Sequence, residues 1–198
     1  MELFHGTTTI GIKASEAIVL AADKRATAGH LIASRTVKKI VKITDNVAMT
    51  IAGVVADAQS LADTVRAEME YYSITAKTRP KVKNYASLLA RILFSSKWFP
   101  YIVQLIVGGY DDSPRLYSLD WYGSILEEDS FTSTGSGSPI ALGVLEEGYR
   151  NNINVDEAIE LAKKSIKAAT MRDSASGDGI DVIVIEKNGS RELTVKFS

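Results

Sequence analysis

The chain has 198 residues, and at about 150 residues per domain it is expected to form one domain, with 45% hydrophobic and 24% charged residues excluding a disordered or collagen-like polymer. Twenty-three Lys and Arg against 24 Asp and Glu leave a formal charge of −1 with no basic block, which argues against nucleic acid as a partner. The absence of cysteine removes disulfides, Cys-ligated zinc, iron–sulfur clusters and a cysteine nucleophile, and makes the cytoplasm the expected compartment.

In chain order, Thr8 to Ile12 and Ala17 to Ala22 are short apolar runs rich in β-branched residues, read as a hairpin. Lys39 to Ile43 and Val47 to Ile51 form a second hairpin across Thr44-Asp45-Asn46. Beyond Gly53 the apolar period becomes helical, with Val54, Ala58, Leu61, Ala62, Val65 and Met69 on one stripe. Lys77 to Pro80 breaks this helix, and Tyr85, Leu88, Leu89, Ile92 and Leu93 mark another that stops before Pro100. Ile102 to Val107, Arg115 to Leu119 and Ser124 to Glu127 return to strand, with Gly108-Gly109 and Asp111 to Pro114 read as turns. Thr134-Gly135-Ser136-Gly137-Ser138 is a loop or a helix start, too short for an interdomain linker. Val155, Ile159, Ala162, Ile166 and Ala169 stripe a long helix whose wet face carries Glu160 and Lys164 as an i,i+4 pair. Asp181 to Ile185 and Glu192 to Lys196 close the chain as a hairpin. Blocks of strands and helices without strict βαβ alternation indicate an α+β fold with largely antiparallel sheets. Ala17 to Ala22 and Ile102 to Val107 are about a third of the length a membrane helix needs, so no membrane span is expected.

His5 and His30 are the only histidines, so a Ser-His-Asp triad or a histidine metal site is hard to assemble, and no metal or cofactor is expected. The glycines form neither GxGxxG nor GxxxxGK[ST]. Four segments each have a plain structural reading: Gly6-Thr7-Thr8-Thr9 as a frayed strand start, Asp23-Lys24-Arg25 as a solvated loop, Lys39 as an outward residue of a strand, and residues 172–179 as a helix end.

Together these segments resemble the catalytic β subunit of the 20S proteasome, an N-terminal nucleophile hydrolase, most closely the archaeal form. The resemblance covers nearly the whole chain. It is carried by Gly-Thr-Thr-Thr at 6–9, Leu-Ala-Ala-Asp-Lys-Arg-Ala-Thr at 20–27, Ala-Gly at 52–53, Thr-Gly-Ser-Gly-Ser at 134–138 and Arg-Asp-Ser-Ala-Ser-Gly at 172–177, in the family's order and spacing.

The resemblance implies a four-layer αββα sandwich. It implies a propeptide at residues 1–6, removed by self-cleavage at Gly6-Thr7, and a single β-type catalytic domain over 7–198. Thr7 would be the nucleophile and its freed α-amine the base; such an amine titrates at roughly 7.7–8.0, so it is substantially neutral near pH 7, where a lysine at about 10.4 is not. Lys39 would lower that amine's pKa, with Asp23 pairing the lysine. Asp173, Ser136 and Ser176 would hold the amine and a water, and the Gly53 N–H would stabilise the oxyanion. An unfolded peptide would lie as an added strand between Ala26-Thr27 and Gly53 to Val55. Its side chain before the scissile bond would meet Ala26, Val37, Val41, Ile51 and Val55, none charged, so hydrophobic residues are expected there. Expected partners are a seven-membered β ring, flanking α rings and an ATP-dependent unfoldase. The alternative is an unprocessed structural β subunit of the same ring; the bacterial two-ring relative and an α subunit fit less well.

Overall fold

The computed structural model describes residues 6–197. In chain order these form β1 (Thr9–Lys13), β2 (Ala17–Asp23), β3 (Ala26–Ala28), β4 (Leu31–Ser34), β5 (Ile40–Thr44) and β6 (Val47–Gly53). Then come α1 (Val55–Ala76), α2 (Val82–Ser95), β7 (Val103–Tyr110), β8 (Pro114–Leu119), β9 (Ile125–Glu127) and β10 (Phe131–Thr134). The chain closes with α3 (Ser138–Gly148), α4 (Val155–Thr170), β11 (Ile180–Glu186) and β12 (Gly189–Val195).

Two five-stranded antiparallel sheets stack face to face, one ordered β10-β1-β2-β11-β12 and the other β5-β6-β7-β8-β9. The period-2 alternation of each strand decides which layer a side chain joins. Along β2, Ala17, Val19 and Ala21 join the core under α3 and α4, while Ile18 and Leu20 meet Ala48, Ile106 and Leu116 between the sheets. Along β6, Val47, Met49 and Ile51 face α1 and α2. The result is helices, sheet, sheet, helices: the expected αββα sandwich, with every β2 residue buried.

Three local readings need correction. Gly108 and Gly109 are not a turn but lie inside β7. A Cβ on Gly108 would sit 2.5 Å from Ile18 Cγ2 and 3.0 Å from Leu20 Cδ2, so glycine lets the two sheets approach at that point. Lys39 precedes β5 rather than standing outward on it, and is buried. Glu160 pairs with Lys163 at 2.7 Å, one residue earlier than expected. The short strands β3, β4 and β10 add to the elements that the periodicity predicts. Among the described residues no helix is long and apolar enough to cross a membrane.

Candidate active site

One end of the inter-sheet layer is polar where the rest is aliphatic. Thr50 of β6 donates its hydroxyl across the gap to Thr9 Oγ1 of β1 at 3.0 Å, and Thr9 Oγ1 and Thr134 Oγ1 lie 2.7 Å apart. At this end stand the segments before β1, after β2, before β5 and after α4, which together carry the candidate residues.

Asp23 is the last residue of β2, and its side chain is fully buried. Its Oδ1 accepts from Thr8 N at 2.9 Å and from Lys39 Nζ at 2.8 Å; its Oδ2 accepts from Gly177 N at 2.9 Å and Arg25 N at 3.0 Å. Four donors fill the acceptor capacity of one carboxylate, which is what makes a buried negative charge tolerable. Lys39 is fixed from behind, since its carbonyl accepts from Ile51 N of β6 at 2.8 Å. The Lys39–Asp23 pair therefore ties one sheet to the other. Burial pulls the Lys39 ammonium below the ordinary lysine range, opposed by the charge of Asp23 and the hydrogen bond to it.

A second network meets Thr7 from the other side. The Thr7 N–H donates to Ser136 Oγ at 3.1 Å, and Ser136 Oγ donates in turn to Asp173 Oδ2 at 2.6 Å. Ser176 Oγ also donates to Asp173 Oδ2, at 2.6 Å. With its one proton committed there, Ser176 accepts from Thr8 Oγ1 at 2.7 Å. Asp173 thus gathers both serines, and Thr7 and Thr8 bridge its network to that of Asp23. Thr7 is itself buried, 3% exposed.

Gly53 ends β6 at φ 125°, and a Cβ there would collide with the carbonyl oxygen of Ile102. Glycine is thus demanded by backbone conformation as well as by any ligand approaching from outside. Next to it opens a cavity of about 360 Å³ bordered by Gly6, Gly53, Gln104, Trp121, Ser136 and Ala175, among others.

The six expected substrate contacts are more scattered. Ala26 and Thr27 lie on β3, which pairs with β4, and Thr27 is 4% exposed. Val37 N donates to Lys24 O at 3.1 Å. Val41 and Ile51 both pack against the core under α1 and α2, with Ile51 only 1% exposed, and Val55 starts α1. None of the six lines the cavity beside Gly53. His5 and most of the expected propeptide lie outside the described residues; His30 is exposed at the β3–β4 turn.

The sequence reading missed a clamp behind this site. Arg25 Nε donates to Asp178 Oδ2 at 2.7 Å and its NH1 to Ser174 O at 2.9 Å, spanning the loop that carries Asp173 and Ser176. Arg35 adds a bond to Asp178 Oδ1 at 3.0 Å. Arg25 lies in the string at 20–27 and Asp178 in the segment 172–179, but nothing in the spacing of residues 25, 35 and 178 shows that they meet.

An αββα stack with a threonine held just before the first strand, at the polar end between the sheets, is the fold of the N-terminal nucleophile hydrolases. Residues 3–185 match the profile of the proteasome subunit family. Proteasome subunit beta 2 of Aeropyrum pernix is 60% identical over 193 residues, covering 98% of this chain and 88% of that protein. Proteasome subunit beta of Ferroglobus placidus is 52% identical over 194 residues, with 98% and 92% covered. Proteasome subunit beta 2 of Sulfolobus acidocaldarius is 49% identical over 191 residues, with 96% and 94% covered. The chain belongs to the proteasome subunit family, as a β subunit of the archaeal type. That family implies a peptidase role in a core particle assembled with other subunits.

Proposed function

We propose that the chain is a threonine endopeptidase whose nucleophile is Thr7, uncovered when residues 1–6 are removed at Gly6-Thr7, leaving 7–198 as the catalytic domain. The observation that carries this reading is the paired network converging on Thr7 and Thr8: Asp23 with Lys39 on one side, Asp173 with Ser136 and Ser176 on the other. While Gly6 is attached, the Thr7 nitrogen is an amide and cannot accept a proton. Once freed it becomes an α-amine, held where its N–H now meets Ser136 and able to take the proton of its own hydroxyl. Lys39, fixed by Asp23, holds a positive charge near that amine and favours its neutral form. The Gly53 N–H is assigned to the developing oxyanion; loss of such a donor typically costs about 10²–10³ in rate.

The substrate is an unfolded polypeptide that adds as a strand. It would lie between Ala26-Thr27 of β3 and the segment Gly53 to Val55, since the β5–β6 ladder ends at Ile40–Thr50 and leaves Ala52 and Gly53 of β6 beyond it on that side. Main-chain pairing would give breadth across sequences, and the uncharged Ala26, Val37, Val41, Ile51 and Val55 would favour cleavage after apolar residues. The working particle would be a seven-membered ring of β subunits between α rings, fed by an ATP-dependent unfoldase.

Fluorogenic peptides ending in Leu or Tyr, in Arg and in Glu test the pocket: fastest cleavage after Leu or Tyr is expected, and fastest cleavage after Arg would refute it. Intact mass of the assembled particle separates the enzyme from an unprocessed structural subunit. Loss of residues 1–6 is the expected result.

A further inference from the structure

Residue 6 sits in a tighter place than its role as one end of a cleaved bond requires. Gly6 is buried, and a Cβ built on it would overlap the Ala175 methyl, while meeting Ser136 Oγ at 3.0 Å and Ala175 Cα at 3.1 Å. Neither neighbour can retreat without cost to the site. Ala175 N donates to Asp173 Oδ1 at 3.2 Å, Ser176 N to Asp173 O at 3.2 Å, and Gly177 N to Asp23 Oδ2 at 2.9 Å. Arg25 holds the carbonyl of Ser174 on the other flank. Ser136 Oγ is committed to Asp173 and the Thr7 N–H.

We propose that Ala175 restricts position 6 to glycine in the uncleaved chain, and thereby sets which leaders the site removes. The inference rests on Gly6-Thr7 being the cleaved bond. In that reaction the Thr7 Oγ bonds to the Gly6 carbonyl carbon, the Gly6–Thr7 C–N bond breaks, and the hydroxyl proton ends on the departing nitrogen. Water then splits the ester, leaving a Gly6 carboxylate and restoring the hydroxyl. A side chain at position 6 must displace either that carbonyl from Thr7 or the loop bearing Asp173 and Ser176. A misplacement of about 1 Å is enough to cost roughly a hundredfold in rate. Ala175 acts as a positioning residue by volume alone, and a peptide that arrives untethered to Thr7 is not bound by the same restriction.

The test is the rate at which residues 1–6 are lost, followed by intact mass on the full-length chain in its assembled particle, with native mass confirming that each variant assembles. Gly6→Ala is expected to trim roughly a hundredfold more slowly than the unsubstituted chain. Adding Ala175→Gly should restore at least about tenfold of that loss, because the overlapping methyl is gone and one tight contact each with Cα and Oγ remains. Gly6→Val should not be rescued by Ala175→Gly, since those two contacts leave room for no more than a methyl. Trimming of Gly6→Ala at the unsubstituted rate, or failure of Ala175→Gly to speed it in an assembled particle, would overturn the proposal. If instead the unsubstituted chain stays whole, or Thr7→Ala is trimmed as fast, it is the reading of Gly6-Thr7 as a self-cleaved bond that falls.

Discussion

A carboxylate with four donors and a lysine with almost no water around it decide the electrostatics beside Thr7. Deprotonating Lys39 would leave Asp23 charged and short of its one cationic partner. Because burial sets the folded lysine below the ordinary value of about 10.4, the folded chain binds fewer protons than the unfolded one between the two values. Stability contributed by this group therefore rises with pH through that window. Activity runs the other way if the positive charge is what favours the neutral amine. The alkaline limb of kcat/KM should accordingly have a midpoint below about 10.4, without a parallel fall in thermal stability; a midpoint at or above the ordinary lysine value would contradict the assigned role. The residue types at 7, 23, 53, 136, 173 and 176 were legible because each sits in a short string with its own order along the chain, whereas Lys39 stands outside those strings and was placed by the resemblance as a whole. The Arg25–Asp178 clamp was not, because two residues separated by most of the sequence meet only once β2 and β11 pair within one sheet.

Elements were legible where one periodicity dominated. The fully buried β2 reads as a continuous apolar run, and α4 as a clean stripe of Ile159, Ala162, Ile166 and Ala169. Strands of three or four residues such as β3, β4 and β10 have no period to detect, and their pairing comes from neighbours: β10 exists because Thr134 to Phe131 pair with Thr9 to Ile12. Gly108-Gly109 misled for a related reason, since glycine signals a turn locally while here Gly108 answers Ile18 and Leu20 of the opposite sheet, and Gly109 answers Asn46 and Val82 on the other face. The start of α4 carries a test of its own. Asn154 accepts from Glu157 N at 2.9 Å, and the Glu157 side chain accepts from Asn154 N, so two of the helix's unpaired donors are satisfied far from Thr7. Asn154→Ala should cost about 1 kcal/mol and lower the melting temperature by roughly 2–4 °C. Peptide hydrolysis at temperatures below the transition should be unchanged; loss of hydrolysis without loss of stability would show that α4 positions the site more directly than its packing implies.

At the scale of the whole molecule, the four layers leave one end of the gap between the sheets lined with Thr9, Thr50 and Thr134, and bring the start of β1 to that end. The family's assembly with other subunits also fits the surface, since Phe94, Trp98 and Phe99 stand 59%, 83% and 91% exposed in one short stretch, and clustered exposed aromatics mark interaction sites. The layered architecture follows from alternation and helix stripes, but the burial of Thr7 follows from the loop between β10 and α3, whose Ser136 and Gly137 bond its N–H and carbonyl, and no local pattern states that contact. The decisive measurement is peptide hydrolysis by assembled particles from which residues 1–6 have been removed by an external protease, with and without Thr7→Ala. A hydroxyl attacking with its own amine as base predicts loss of at least about a thousandfold in kcat for the alanine variant. Hydrolysis persisting near the unsubstituted rate in that trimmed, assembled variant would place the nucleophile elsewhere.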